Sequence, residues 1–368
     1  MRRSLLLMCG LAGCDQLWGL DKDLKPRPDA SGSPQDTAGV DAPVPCTGTM
    51  VGHGMYMFCV TDVSMKSLSG TIDTSGGMCA MDSVHPELCI VQGGDVTIGV
   101  PQPVKGQGPR PLVIAATGNL TVMGTIDVSS DKTTLGAGID IGGITGCDLG
   151  DAAASAGDGG PGGSFAIKGG FGGKSQGGNA MPGKIVPAPT ILTLRPGCPG
   201  GPGAGAVQSS VGAGGNPGGA LYLATASELR LPATAVIRAN GAGGNGASVS
   251  NGGGGGGTGG LIVLDAASYN VMAGSTISAN GGGGGEGGST IAGTDGQASN
   301  AYNVGGKGGM GVGSGGDGGD GAALMAASGS GAGALGAGAG GGGGAIGYVI
   351  VYGASDWAGR ISPTPTFR

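Results

Sequence analysis

Cysteines, two histidines and a thin scatter of acids are the side chains in these 368 residues that could do chemistry. Six of the eight cysteines, Cys46, Cys59, Cys79, Cys89, Cys147 and Cys198, lie well beyond the N-terminal segment. An even number in an exported chain points to as many as three disulfides. Cys147 and Cys198 each stand in a Gly-rich segment (Gly146-Cys-Asp and Gly197-Cys-Pro-Gly) flanking one insertion, so they are expected to pair. Closing that ~50-residue loop stabilises by roughly 4 kcal/mol in the chain-entropy model. The other four are expected to pair among themselves, in an order the spacing leaves open. A zinc site is the alternative, but no Cys-x-x-Cys supports it.

Two glycine-rich stretches come close to ion- and phosphate-binding patterns. Ala166-Ile-Lys-Gly-Gly-Phe-Gly-Gly-Lys174-Ser175 looks like a strand entering a phosphate loop. That loop needs glycine, four residues, then Gly-Lys; the first position here is Lys168, so the pattern fails by one residue. Gly315-Gly-Asp317-Gly-Gly-Asp320 fits the start of a calcium-binding nonapeptide, which makes Asp317 and Asp320 calcium candidates. That motif works through tandem copies. One copy stands here, so the competing reading is a pair of solvated loop acids. No other metal and no cofactor is expected.

The remaining acids can be weighed only against the elements that would position them. Glycine accounts for 92 of the 368 residues, without a strict Gly-X-Y period, which excludes collagen. Aromatic residues are 3% and charged residues 11%, too few bulky side chains for a conventional two-layer core. A solenoid avoids that demand, because each turn buries only a thin apolar line against the next. Residues 219–241 and 260–281 both read as three short β-rich runs closed by Ala-Asn-Gly. Residues 111–130 align with them: Leu112 with Leu221 and Ile262, Leu120 with Leu229 and Tyr269, Ile126 with Ile237 and Ile277. Period-2 alternation puts each set on one strand face. The expected fold is all-β, a short right-handed parallel β-helix. Partial turns are expected at Ser164-Phe-Ala-Ile with Thr190-Ile-Leu-Thr-Leu, and at Gly347-Tyr-Val-Ile-Val-Tyr. Between turns lie the glycine tracts. They are expected to pack as polyproline-II strands, with disorder as the alternative.

Parallel β-helices include polysaccharide lyases and glycosidases, which need paired carboxylates in an outward groove. The alignment tests for that pair. The outward slot of Asp127 is filled by Arg238 and Ser278 in the other copies, and that of Thr121 by Arg230 and Asn270. No column of acids forms, and Asp265 stands alone. His53 and His85 fall in the N-terminal Cys-containing segment and read as ordinary surface or packed residues. Asn240 and Asn280 share the slot before glycine, where a stacked asparagine ladder is expected.

The chain begins Met1-Arg2-Arg3, then an apolar run ending Leu11-Ala-Gly13-Cys14. Two arginines before a short apolar segment make a secretory signal. Leu-Ala-Gly-Cys resembles the lipobox of bacterial lipoproteins. That resemblance implies cleavage between Gly13 and Cys14 and lipidation of Cys14, which would then be the membrane anchor. Residues 14–45 carry little that is apolar and read as a disordered tether of roughly 30 Å reach. The expected organisation is a signal peptide over 1–13, the anchor and tether over 14–45, a small Cys-containing cap over 46–87 and the β-helix over 88–368. A net charge of −6 argues against nucleic acid as partner.

The chain resembles a family of glycine-rich bacterial lipoproteins from predatory gliding bacteria. The likeness rests on the lipobox, the Cys-rich segment, Arg110-Pro-Leu-Val-Ile…Thr125-Ile-Asp-Val-Ser-Ser, Gly197-Cys-Pro-Gly-Gly, the glycine run around Glu286, and the tail with Ser362-Pro. It implies architecture and an envelope location only. The expected role is a structural or adhesive lipoprotein of the cell surface or outer membrane, without catalysis, in contact with polysaccharide or another surface component. The competing expectation is a carbohydrate-active β-helix enzyme.

Overall fold

A computed structural model describes residues 46–368 other than 81, 83, 141–145, 152, 154, 176–180, 182, 185–190, 206–209, 312, 335–336 and 354–356. The expected signal peptide and tether, with Gly13 and Cys14, lie outside the described residues.

The protein is all-β. Its strands are β1 (Thr49–Val51), β2 (Phe58–Val60), β3 (Lys66–Leu68), β4 (Gly70–Asp73), β5 (Cys89–Gly93), β6 (Val96–Ile98), β7 (Val104–Gln107), β8 (Leu112–Ala116) and β9 (Leu120–Val122). They continue with β10 (Thr125–Asp127), β11 (Ala220–Leu231), β12 (Val236–Arg238), β13 (Leu261–Val271), β14 (Thr276–Ser278), β15 (Tyr348–Tyr352), β16 (Arg360–Ser362) and β17 (Thr366–Phe367). The strands β1 and β2 form an antiparallel hairpin. Among the described residues all other strand pairings are parallel, with isolated antiparallel bridges such as Ala80–Ile90 beside them. One sheet runs β4-β7-β10-β12-β14-β16; the other follows β3-β6-β9-β11-β13-β15-β17, with β5 and β8 joined to it through β11. Among the described residues no helix is long and apolar enough to cross a membrane.

The registers follow the internal alignment of the sequence. Leu112 lies opposite Leu221, Leu221 opposite Ile262 and Ile262 opposite Val349. Leu120, Leu229 and Tyr269 form a second row, and Ile126, Ile237, Ile277 and Ile361 a third. These rows meet in one apolar cluster with Ile72, Ile98 and Val104. Like residues recur because a parallel register places each copy directly beside the last, and a one-residue slip would turn every row outward. The first halves of β11 and β13 and all of β8 are buried on both faces, which is why they read as unbroken apolar runs rather than alternations. Their second face packs under the β1–β2 hairpin, through Val51, Phe58 and Val60, and under Phe165, Ile191 and Leu194.

Two expectations change here. Residues 164–167 and 191–194 are not strands; they lack a parallel partner and serve as apolar covers on that second face. The parallel pairing also starts earlier than residue 88, because β3 pairs with β6 and β4 with β7.

The described glycine tracts are extended segments ordered by one another. Residues 252–260 show the rule. Gly252, Gly255 and Thr258 donate to the carbonyls of Ala204, Gly201 and Cys198. Gly253, Gly256 and Gly259 donate to Ala339, Gly342 and Ala345, and Gly254, Gly257 and Gly260 to Asn245, Ala242 and Ala239. Every third N–H thus meets the same neighbour. The carbonyls repeat the pattern toward three other segments, accepting from Gly212, Gly215 and Gly218, from Gly160 and Gly163, and from Gly285 and Gly282. This segment therefore has six neighbours, and residues 281–288 and 338–345 are surrounded in the same way. A Cβ on Gly256 would sit 2.1 Å from the Gly282 carbonyl oxygen, and one on Gly253 would sit 2.2 Å from that of Gly285. Close approach, not a positive φ, demands glycine there.

This packing explains two kinds of glycine sequence. A fully surrounded segment leaves no direction for side chains, so its sequence is nearly pure glycine, as in 252–257 and 340–344. A peripheral segment has one open side in three, giving Gly-Gly-X. In Gly169-Gly-Phe171-Gly-Gly-Lys174, Gly305-Gly-Lys307-Gly-Gly-Met310 and Gly315-Gly-Asp317-Gly-Gly-Asp320, each X is exposed. The near-miss phosphate loop and the calcium-like pattern are both instances of that period.

Candidate functional site

The strand registers fix which side chains share an outward slot. One row is Thr71, Lys105, Asp127, Arg238, Ser278 and Ser362, of which the two serines are covered and buried. Another is Ser67, Thr97, Thr121, Arg230 and Asn270. Neither stacks acid on acid. Arg230 is instead paired with Glu228 on its own strand.

Asp265 does not stand alone. Its carboxylate is fully buried on β13, where it accepts from the backbone N–H groups of His53 and Gly54, both at 2.8 Å, and from the Tyr222 hydroxyl at 2.7 Å. His53 Nδ1 lies 3.2 Å from the other oxygen, with its ring 64% exposed. A buried carboxylate is tolerable only when its oxygens are supplied with donors, and here the tip of the β1–β2 hairpin supplies them. Burial, and after it the Asp265 charge, pushes the Tyr222 phenol far above its ordinary value, so it stays a donor. Tyr269 is raised for the same two reasons, and its hydroxyl bonds the Tyr352 carbonyl at 2.6 Å. The group is a lock between the hairpin and the sheet. His85 packs edge-on against Tyr56 and Phe58, as an ordinary packed residue does.

Asn240 and Asn280 are fully buried neighbours in a ladder. The Asn280 N–H donates to Asn240 Oδ1 at 2.9 Å, and the Ser362 hydroxyl donates to Asn280 Oδ1. Asn280 Nδ2 holds the loop over 299–304 through the carbonyls of Ala301 and Tyr302, each at 3.0 Å.

Three disulfides are formed: Cys46–Cys59, Cys79–Cys89 and Cys147–Cys198. The last closes the insertion that contributes residues 157–163 and 169–174 to the glycine packing.

At the periphery, Asp320 is engaged by Lys307 Nζ at 2.8 Å and by the Gly308 N–H at 2.9 Å. Burial raises its carboxyl, but these donors outweigh that and hold it below its ordinary range. Asp317 and Asp320 both face solvent, and among the described residues no group of three His, Cys, Asp or Glu could hold a metal ion. A cleft of about 410 Å³ lies between residues 171–174 and 330–333, lined by Phe171, Lys174, Ser330 and intervening glycines. It combines one aromatic face, one cation and one hydroxyl over otherwise bare backbone. Spacing did not reveal it, because its two walls are more than 150 residues apart in the chain. The signal available was the outward Phe and Lys of one Gly-Gly-X segment.

Comparisons with protein families, with curated proteins and with solved structures return no match to this chain.

Proposed function

We propose that this chain is a lipoprotein of the bacterial cell envelope, anchored through Cys14, whose folded part displays a rigid surface in adhesion or envelope structure without catalysis. In this reading the parallel strands form turns of a right-handed β-helix and the glycine segments run beside it as polyproline II. The observation that carries it is the division of polar groups. The fully buried Asp265 is spent on holding the fold together, while the peripheral glycine segments turn a side chain outward at every third position, on a stiff backbone lattice. The Phe171–Lys174–Ser330 cleft is the part of that surface suited to a sugar. An aromatic face stacks on C–H bonds, and the polar groups meet hydroxyls or a carboxylate.

Metabolic palmitate labelling with protease shaving of intact cells tests the location. An unlabelled, protected chain would defeat it. Binding to immobilised polysaccharides, compared between the wild type and Phe171→Ala, tests the surface. Hydrolysis or eliminative cleavage of any of them would replace the display reading with that of a carbohydrate-active enzyme.

A further inference from the structure

The Cys147–Cys198 disulfide differs from the other two in what faces its sulfurs. Arg195 Nη2 lies 2.9 Å from Cys147 Sγ and 3.6 Å from Cys198 Sγ. The guanidinium is held there by the carbonyls of Gly146 at 3.2 Å and Pro196 at 3.3 Å, and by the Phe165 ring, whose centroid is 5.4 Å away. Among the described residues Arg195 makes no ion pair with a carboxylate. A fixed, partly buried cation with no anion beside it faces two sulfurs that, as a disulfide, are only weak acceptors. Reduction would convert them into the anion it lacks. Among the described residues the other bonds have no such partner. Cys79 Sγ faces the carbonyls of Asp73 and Thr74, at 3.9 and 3.6 Å, and nearby Arg110 donates to the Thr74 carbonyl rather than to sulfur. A thiolate there would meet the negative ends of peptide dipoles. Exposure sets the direction of attack, since Cys198 is fully buried while Cys147 is partly open.

We propose that Cys147–Cys198 is a thiol–disulfide exchange site for a dithiol reductant, with Arg195 as the charge that stabilises the thiolates formed. The reductant's thiolate attacks Cys147 Sγ. A mixed disulfide forms, the Cys147–Cys198 bond breaks, and Cys198 leaves as a thiolate against the guanidinium. The reductant's second thiol, losing its proton to water, attacks its own sulfur in the mixed disulfide and releases Cys147. Two electrons pass to the protein, and the reductant ends as a disulfide. Opening the bond unties a loop with a sequence separation of 51, which carries two of the glycine segments.

The test equilibrates the full-length chain in mixtures of reduced and oxidised dithiothreitol, traps free thiols by alkylation and reads each cysteine pair by peptide mass spectrometry. Cys147–Cys198 is expected to be reduced first of the three. Arg195→Met is expected to lower its reduced-to-oxidised ratio about tenfold at a fixed mixture, about 30 mV for a two-electron couple. The Cys79–Cys89 ratio should not move, and Arg195→Lys should restore part of the effect. Reduction of Cys147–Cys198 no earlier than the others, or an unchanged ratio in Arg195→Met, overturns the proposal. If that variant does not fold, the pH dependence of alkylation in the reduced wild type decides. At least one of the two thiols must titrate below the ordinary ~8.5, and ordinary titration by both overturns it.

Discussion

Replacing Asp265 with alanine should detach the N-terminal hairpin from the sheet. The carboxylate takes two backbone N–H donors at 2.8 Å and the buried Tyr222 hydroxyl at 2.7 Å. Bonds to a charged group are worth roughly 1.5–3 kcal/mol each, and a buried donor left unpaired costs about 1–3 kcal/mol. Three bonds at the low end give about 4–5 kcal/mol. The His53 ring is mostly exposed, so water can reach the two loop N–H groups, which trims the loss to about 3–4 kcal/mol. That is a large share of the 5–15 kcal/mol typical of a folded domain. The assay is urea unfolding of wild type, Asp265→Ala, Tyr222→Phe and the double variant. Tyr222→Phe should cost about 1.5 kcal/mol in the wild type and almost nothing once Asp265 is gone, since its partner is then absent. Limited proteolysis should cut Asp265→Ala between residues 52 and 57 well before the wild type. A loss below about 1 kcal/mol, or additive effects of the two substitutions, would refute the lock.

Other consequences can be checked with the same protein. Gly256→Ala should cost at least about 3 kcal/mol, because its Cβ would meet a carbonyl oxygen at 2.1 Å, while Gly77→Ala, with nothing within 4 Å, should be near neutral in thermal unfolding. Asn280→Ala should lose about 2–3 kcal/mol and release the loop over 299–304, seen as faster amide exchange there. Tyr56, Tyr222 and Tyr269 are raised above the ordinary phenol value of about 10, first by burial. Below that value both folded and unfolded phenols are neutral. Above it only the unfolded ones ionise, so the stability these tyrosines lend is whole below pH ~10 and drains away as pH rises further. Phenolate absorbance should therefore show Tyr56, Tyr222 and Tyr269 titrating late and together with unfolding; ordinary titration of these three in a folded chain would contradict this.

Much of the fold was legible because a parallel stack writes its register into the sequence. Leu112, Leu221 and Ile262 could be aligned by eye, and they pair as aligned. The glycine tracts declared close backbone approach by composition. Their division into surrounded and peripheral segments was also present, as pure glycine against Gly-Gly-X, but a near-miss phosphate loop and a calcium-like pattern drew attention to the wrong feature of the same period. The Asp265 lock was hidden for a different reason. Its histidine is 212 residues away and its tyrosine 43, and no local pattern in either segment announces the meeting. Phe165 and Leu194 were misread as strand residues because an apolar cover and a strand share the same short composition.

The segment over 338–345 fills the middle of the glycine lattice, yet it follows the other glycine segments in the chain. It donates to residues 157–163, 282–288 and 329–332, and it accepts from residues 253–259. Until it emerges, the glycine segments before it lack a common neighbour and their backbone groups remain with water. Synthesis order and assembly order therefore run against each other, unlike domains that fold from the N-terminus as they are made. The glycine half should close in a single late step.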